Sequence, residues 1–325
     1  MWGVTIVHSI IVQLLENMGK ALNRKQAEAL LPLLPAHRLD IFAAARLAAS
    51  SNNKDIFSCG IINAKSGRCA EDCSFCAQSV RHGTGAPVYG LLPTEKLLER
   101  AQSLWEQGAG YMGIVISGTS PTSRDFDRLC EAAAVIRERV PIKLCASFGI
   151  LGPGQARQLK EAGYASYHHN LETARSWYGR VCTTHAYEAR EQTVRSALEA
   201  GLRVCCGGIF GLGEGWPERL ELAETLQTLG VHSIPVNFLM PVKGTPLESS
   251  PLLPASQALD IVALFRLMHP EKDIVICGGR GSTLGNWENT LFFSGANAMM
   301  VGDYLTAKGS VAERDREIFA MLSKV

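Results

Sequence analysis

A closed (β/α)8 barrel of the TIM type, with a helical extension at its N-terminus, is the fold class this 325-residue sequence predicts. Short apolar runs alternate with amphipathic stretches from Asp55 onward. Eight such units fit in about 250 residues. The segments richest in cysteine and polar residues follow the apolar runs, where this fold carries its active site. A doubly wound open sheet fits the alternation too, but eight regular units favour closure.

The elements follow in chain order. The start, from Met1 to Glu16, is apolar enough to raise the question of a signal peptide. It lacks a basic leading region and a small-residue cleavage site, and Glu16 and Lys20 follow at once, so a helix packing on the domain is expected. Ala21–Leu34 and Arg38–Ala49 have helical periodicity and complete an extension over residues 1–50. The barrel with its C-terminal cap takes residues 51–325. Strands are expected at Asp55–Ile61, Tyr111–Ser117, Ile142–Ser147, Ala165–His168, Arg203–Gly207, Ser233–Asn237, Ile274–Cys277 and Ala298–Val301. Helical patterns between them cover Thr94–Gln107, Asp125–Arg139, Gly154–Glu161, Ala186–Ala200, Pro217–Leu229, Pro254–Met268 and Gly285–Phe293. Gly108, Gly163, Gly201 and Gly230 stand where helices end and suit the left-handed cap. No linker rich in Pro, Gly or Ser divides the barrel.

Composition excludes several classes of function. Charged residues are 19% and the formal net charge is +1, so there is no basic field to hold nucleic acid. No apolar run approaches a membrane span. Ten cysteines in so large a chain, the key ones at ligand spacing, point to a reducing cytoplasm rather than to disulfides.

The chemistry concentrates in Cys69-Ala-Glu-Asp-Cys73-Ser-Phe75-Cys76, a three-thiolate loop spaced C-x3-C-x2-C. A cubane iron–sulfur cluster takes four ligands, so three thiolates leave one iron open to a small molecule. Zinc would prefer paired C-x2-C elements, and no second one occurs in the chain. Ser117-Gly118, Asn170, Glu172 and Asn237 end or follow strands at the same mouth. Cys145 and Cys205 fall inside strands; Cys205 and Cys206 cannot both point inward unless their strand is bulged. Cys59, Cys130 and Cys206 read as small packing hydrophobes, and Cys182 stays open. His168 and His169, adjacent on a strand end, face opposite ways and read as satisfied polar residues. Gly211-Leu-Gly213-Glu214 is not a nucleotide loop.

The cysteine loop resembles that of the radical S-adenosylmethionine (SAM) superfamily. Within it, five blocks look like the biotin synthase family, in the family's order from about residue 55 to 305: Asn63–Cys73, Tyr167–Thr173, Cys205–Glu214, Pro235–Leu247 and Cys277–Arg280. The resemblance implies a [4Fe–4S] cluster on Cys69, Cys73 and Cys76, with SAM on its open iron. Phe75, Ser117, Gly118, Asn170, Glu172 and Arg190 would bind SAM, Gly207–Glu214 would line its pocket, and Asn170, Glu172 and Asn237 would bind dethiobiotin. No acid–base catalyst is expected, because radicals come from the cofactors. A second, auxiliary cluster would supply sulfide from three cysteines and one arginine. Cys145, Cys205 and Arg280 match three positions; the fourth, in Gly113-Ile-Val-Ile-Ser117, has no cysteine. Cys277 is the substitute, although strand parity is against its sharing a face with Arg280. Whether Cys277 or Arg280 is the ligand, and whether the cluster is [2Fe–2S] or larger, stays open. An outside donor such as flavodoxin or ferredoxin and a homodimer follow from the same resemblance. The alternative is another enzyme of this branch, like a hydrogenase-cofactor maturase or a carbon-skeleton mutase.

Overall fold

Small residues on one face of the first strand let a helix lie close against it. A Cβ on Gly60 would meet Leu104 Cδ2 at 2.3 Å, and Ala64 is fully buried. The alternate residues Phe57, Cys59 and Ile61 turn the other way and meet Val275, Cys277, Ala298 and Met300. Repeated around the sheet, this alternation makes an outer apolar core and an inner chamber. The computed structural model describes residues 9–16, 19–52, 54–303, 305, 314–315 and 317–319.

Among these residues the strands are β1 Phe57–Lys65, β2 Tyr111–Ile116, β3 Lys143–Ser147, β4 Ser166–His168, β5 Arg203–Cys205, β6 Gly208–Phe210, β7 Ser233–Phe238, β8 Asp273–Ile276 and β9 Ala298–Met300. Their order is β5-β4-β3-β2-β1-β9-β8-β7-β6, and a β5–β7 pairing closes the ring. Every ladder is parallel, as one strand after each helix requires. The expected strand Arg203–Gly207 stops at Cys205, and after a break at 206–207 the chain resumes as β6, so β5 and β6 are two pieces of one barrel stave. Cys206 N donates to Ser233 O at 2.9 Å, and a Cβ on Gly207 would stand 2.1 Å from Pro235 O. This irregularity leaves Cys205 facing the chamber and buries Cys206 in the outer core.

The helices are α1 Ser9–Glu16, α2 Arg24–Leu30, α3 Leu34–Ser51, α4 Thr94–Glu106, α5 Ser123–Arg139, α6 Pro153–Glu161, α7 Arg175–Tyr178, α8 Tyr187–Glu199, α9 Trp216–Leu229, α10 Ala255–Met268 and α11 Arg280–Leu284. Gly108, Gly163, Gly201 and Gly230 all take positive φ at helix ends, as the sequence predicts. The expected helix at 285–293 is replaced by α11 and a 3-10 stretch, Gly285–Leu291, because Gly285 (φ 51°, ψ −120°) ends the α-helix. The pattern at 21–34 is likewise interrupted, by a 3-10 turn at Leu31–Leu33 with Pro32 inside it. Helix α10 is buried on all sides from Ala258 to Met268 because α3 and α9 cover it. Arg38 of α3 reaches Asp260 of α10 through two bonds of 2.7 and 3.1 Å, and Leu30, Ile41 and Phe42 belong to the same core as the barrel.

At the N-terminal ends of the strands the barrel is floored. Phe57 and Tyr111 stand 5.5 Å apart, Lys143 lies over the Tyr111 ring, and Arg203 pairs with Asp273 at 3.1 Å. No helix among the described residues is long and apolar enough to cross a membrane.

Candidate functional site

The open end of the barrel holds a cavity of about 380 Å³ lined by Cys69, Cys73, Phe75, Cys76, Ser117, Gly118, Asn170, Glu172, Arg190 and Asn237. The cysteine loop is aimed by its own backbone. Gly67 (φ 75°) and Arg68 (φ 53°) turn left-handed after β1. Gln78 Oε1 then accepts from Ser66 Oγ and Gly67 N, both at 3.1 Å, and Cys69 N donates to Gln78 O at 3.1 Å. Ser117 Oγ, at the end of β2, donates to Gly67 O at 2.6 Å, and Ser74 N donates to Val181 O at 2.8 Å. The three thiols thus belong to one braced loop. Burial pushes the Cys76 thiol up to about 11; Cys73 rises too, first through a hydrogen bond with Cys182 and then through burial. Metal binding would take their protons.

Across the cavity, Arg190 organises the turn after β4. Its Nη1 donates to Asn170 O at 2.9 Å and lies 3.3 Å from Glu172 Oε1, while Nε donates to Tyr178 OH at 2.8 Å. Glu172 sits at φ 70°, and burial raises its carboxyl despite Arg190. Its Oε2 is buried without a hydrogen-bond partner among the described residues. Asn170 Oδ1 accepts from Gly207 N at 3.2 Å and faces His168 Nε2 at 3.1 Å. Asn237 lines the cavity, but its amide is engaged with Gly208 O at 3.1 Å and Gly278 N at 2.9 Å. The two histidines depart from expectation: both line the cavity, since His169 lies past the end of β4, where strand alternation no longer applies. His169 Nε2 has no hydrogen-bond partner among the described residues, whereas His168 is satisfied.

Sequence reasoning passed over Glu71, Thr184 and His185. Burial pushes the Glu71 carboxyl up, but bonds from Thr119, Thr184 and His185 outweigh it and hold the carboxyl below its ordinary value. Cys182 Sγ, left open by the sequence, lies 3.3 Å from His185 Nδ1. The one available signal was the acidic pair Glu71-Asp72 inside the cysteine motif.

Deeper in the barrel a second set of thiols converges. Cys277 is raised first by a hydrogen bond with Cys59 and then by burial, and Cys205 is also near it. Burial lifts Cys145 to about 12, with Cys59 adding to the shift. Cys205 rises by burial, then through Cys145 and Cys59. Cys59, expected to be packing, is therefore the fourth thiol of this chamber. In β2, where the resemblance asked for a cysteine, Gly113 pairs with Ile61 and Val115 lines the cavity, and neither offers a thiol. Arg280 does not share the strand face of Cys277. Gly279 (φ 79°) turns the chain into α11, and the Arg280 guanidinium bonds Asp315 at 2.5 Å and stands 3.4 Å from Glu288.

Among the described residues, Glu71, Cys182 and His185 form the only group of three or more potential ligands whose atoms all lie within 4.8 Å of one another. No three thiols of either cysteine set lie that close to one another, a wider spread than the closed set of one tetrahedral ion asks for and one that a multi-iron group suits. The unpartnered Glu172 oxygen facing the same cavity fits a polar cofactor beside the outer set.

Two family profiles match the chain: the Radical SAM superfamily over residues 64–226 and the Biotin and Thiamin Synthesis associated domain over residues 235–323. A biotin synthase of Nitratidesulfovibrio vulgaris (strain DP4) is 51% identical over 306 residues, covering 94% of this chain and 85% of the relative. That of Geotalea uraniireducens is 44% identical over 307 residues, covering 94% and 93%. Among solved structures, methylornithine synthase (PylB) superposes with a TM-score of 0.77 at 22% identity, over 95% of this chain and 90% of the other. The FeFe-hydrogenase maturase HydG from Carboxydothermus hydrogenoformans gives 0.81 at 20% identity, over 96% and 77%. At these identities the two structures attest the barrel alone. The sequence relatives go further, and by them this chain belongs to the biotin synthase family of radical SAM enzymes.

Proposed function

We propose that Cys69, Cys73 and Cys76 hold the [4Fe–4S] cluster, that SAM lies between that cluster and the Asn170–Glu172 turn, and that dethiobiotin binds beneath it, above the inner thiols. The convergence of three loop thiols with Phe75, Glu172 and Arg190 on one cavity carries this reading. When bound, the reduced cluster and SAM supply a carbon-centred radical for hydrogen abstraction, and the auxiliary cluster supplies sulfide. The chain's own part is positional. Glu172 offers its unpartnered oxygen as an acceptor, Arg190 fixes that carboxylate and the Asn170 carbonyl, and Phe75 gives an apolar face. The walls exclude water from the reacting centre.

For the auxiliary cluster we assign Cys59, Cys145, Cys205 and Cys277, with Arg280 outside the ligand set and engaged by Asp315 and Glu288. Four thiolates complete the ligation of either a [2Fe–2S] or a [4Fe–4S] cluster. A low-potential donor such as flavodoxin or ferredoxin, a reducing cytoplasm and a homodimer complete the reading; the dimer rests on the resemblance alone. Anaerobic reconstitution tests it. Dethiobiotin should stimulate 5′-deoxyadenosine formation and yield biotin. Cys145→Ala and Cys205→Ala should still make 5′-deoxyadenosine but no biotin. Biotin formed by protein with iron for only one [4Fe–4S] cluster would overturn the second site.

A further inference from the structure

We propose that Glu71, Cys182 and His185 bind a single divalent cation of the zinc or ferrous class at the edge of the cavity, apart from both clusters. The site is read from this trio alone. The reading above enters only because the neighbouring thiols must carry their clusters before the trio can be measured by itself. Glu71 and Cys182 are buried and the His185 side chain nearly so, and among the described residues no other three ligand groups come within 4.8 Å of one another. His185 Nδ1 stands 2.7 Å from Glu71 Oε2 and 3.3 Å from Cys182 Sγ, so one nitrogen, one oxygen and one sulfur are gathered at one point. These are ligand types of zinc and ferrous iron, whereas magnesium and calcium take oxygen. A hydrogen-bonded brace would not ask for the thiol, which is a weak donor and a weak acceptor but a strong ligand.

The atoms behind the trio are arranged as they are behind metal ligands, where the far nitrogen of the imidazole and the far oxygen of the carboxylate are both held. His185 Nε2 lies 2.8 Å from Tyr178 OH, and a proton donated there would leave Nδ1 as the ligand. Arg190 Nε, 3.1 Å from the same ring nitrogen, is served by that phenol oxygen too, at 2.8 Å. Glu71 Oε1 accepts from Thr119 Oγ1, while Oε2, which also accepts from Thr184 Oγ1, is turned to the ring. The two loops that carry the trio are laced together on either side of it. Ser74 N donates to Val181 O at 2.8 Å, and Asp72 accepts from Thr183 N at 2.9 Å. The geometry therefore exists before an ion arrives. The ion would replace the proton shared by His185 and Glu71. Carboxylate and thiolate would balance its two charges, and Arg190 keeps Glu172 as its own counter-ion. Glu71 and His185 both line the cavity, so a fourth position opens there, for water.

Holoenzyme with both clusters reconstituted should take up about one further zinc ion in equilibrium dialysis. X-ray absorption at the zinc edge should show one sulfur at about 2.3 Å among lighter atoms at about 2.0 Å. Cys182→Ser keeps a polar group of similar size; it should lose the sulfur neighbour and weaken zinc at least about a hundredfold. His185→Gln should keep the sulfur and weaken zinc at least about tenfold. Isotopically labelled ferrous iron, added to unlabelled clusters, should give a high-spin Mössbauer doublet that Cys182→Ser lacks, at higher metal concentration than zinc needs. Wild-type holoenzyme that binds no zinc, or holds it with no sulfur neighbour or with three or more, would overturn the proposal. So would an unchanged zinc affinity in Cys182→Ser. If one variant folded poorly, seen as lower cluster iron, the other decides by the same comparison. Failure of Cys69, Cys73 and Cys76 to take up iron shows in the Mössbauer spectrum before zinc is added. It refutes the cluster reading and not this site, which the sulfur neighbour lost between wild type and Cys182→Ser still decides.

Discussion

Cys59 separates two accounts of the inner chamber. As a ligand it holds iron; as packing it is a small side chain among apolar neighbours. Cys59→Ala should lower the iron of the inner site and cut biotin formed per 5′-deoxyadenosine by at least about tenfold. The outer cluster and SAM cleavage should persist. Unchanged biotin yield, measured beside total iron and Mössbauer spectra, would return Cys59 to packing. The outer trio was legible in the sequence because its spacing is local: Cys69, Cys73 and Cys76 lie on one loop. Cys59 was not, because its neighbours Cys145, Cys205 and Cys277 are brought to it by strand register, which no stretch of sequence around it announces. Arg280 matched a ligand by family position; Glu288 and Asp315, which engage its guanidinium here, lie in segments with no visible motif.

Among the elements, the β5–β6 break does most to shape the site. Gly207 N donates to Asn170 Oδ1 at 3.2 Å, and Gly207 O accepts from Leu171 N at 3.0 Å and Glu172 N at 3.3 Å. One residue therefore holds the turn that carries Asn170 and Glu172, while the chain just before it sends Cys205 into the chamber. A side chain at Gly207 meets the Pro235 carbonyl and must force two strands apart. Gly207→Ala should cost about 3 kcal/mol of stability, read as a lower urea midpoint, and should weaken SAM binding measured by equilibrium dialysis. A variant with the wild-type midpoint and SAM affinity would show that the break is not structural. The sequence signalled this element through Cys205-Cys206, which demanded a bulge if Cys205 was to face in. It did not signal α7 or α11, short pieces set by tertiary packing more than by periodicity, and it read the 3-10 stretch after α11 as an ordinary helix.

At the scale of the molecule, the closed barrel was readable because a parallel sheet needs a crossover after every strand, and both layers leave their periods in the chain. The seating of the N-terminal helices was not readable: Arg38 and Asp260 are 222 positions apart. The floor has its own consequence. With Phe57, Tyr111, Lys143 and the Arg203–Asp273 pair across the far end, the mouth is the doorway that the described residues show, and reactants, products and spare parts share it. Iron and sulfide returning to the inner thiols must pass where SAM and dethiobiotin sit. Repair and turnover should then exclude each other. Adding both ligands to protein stripped only of its inner iron should slow the return of the inner cluster's absorbance, and an unaffected rate would mean a second way in. A vessel with one doorway is refilled only between customers.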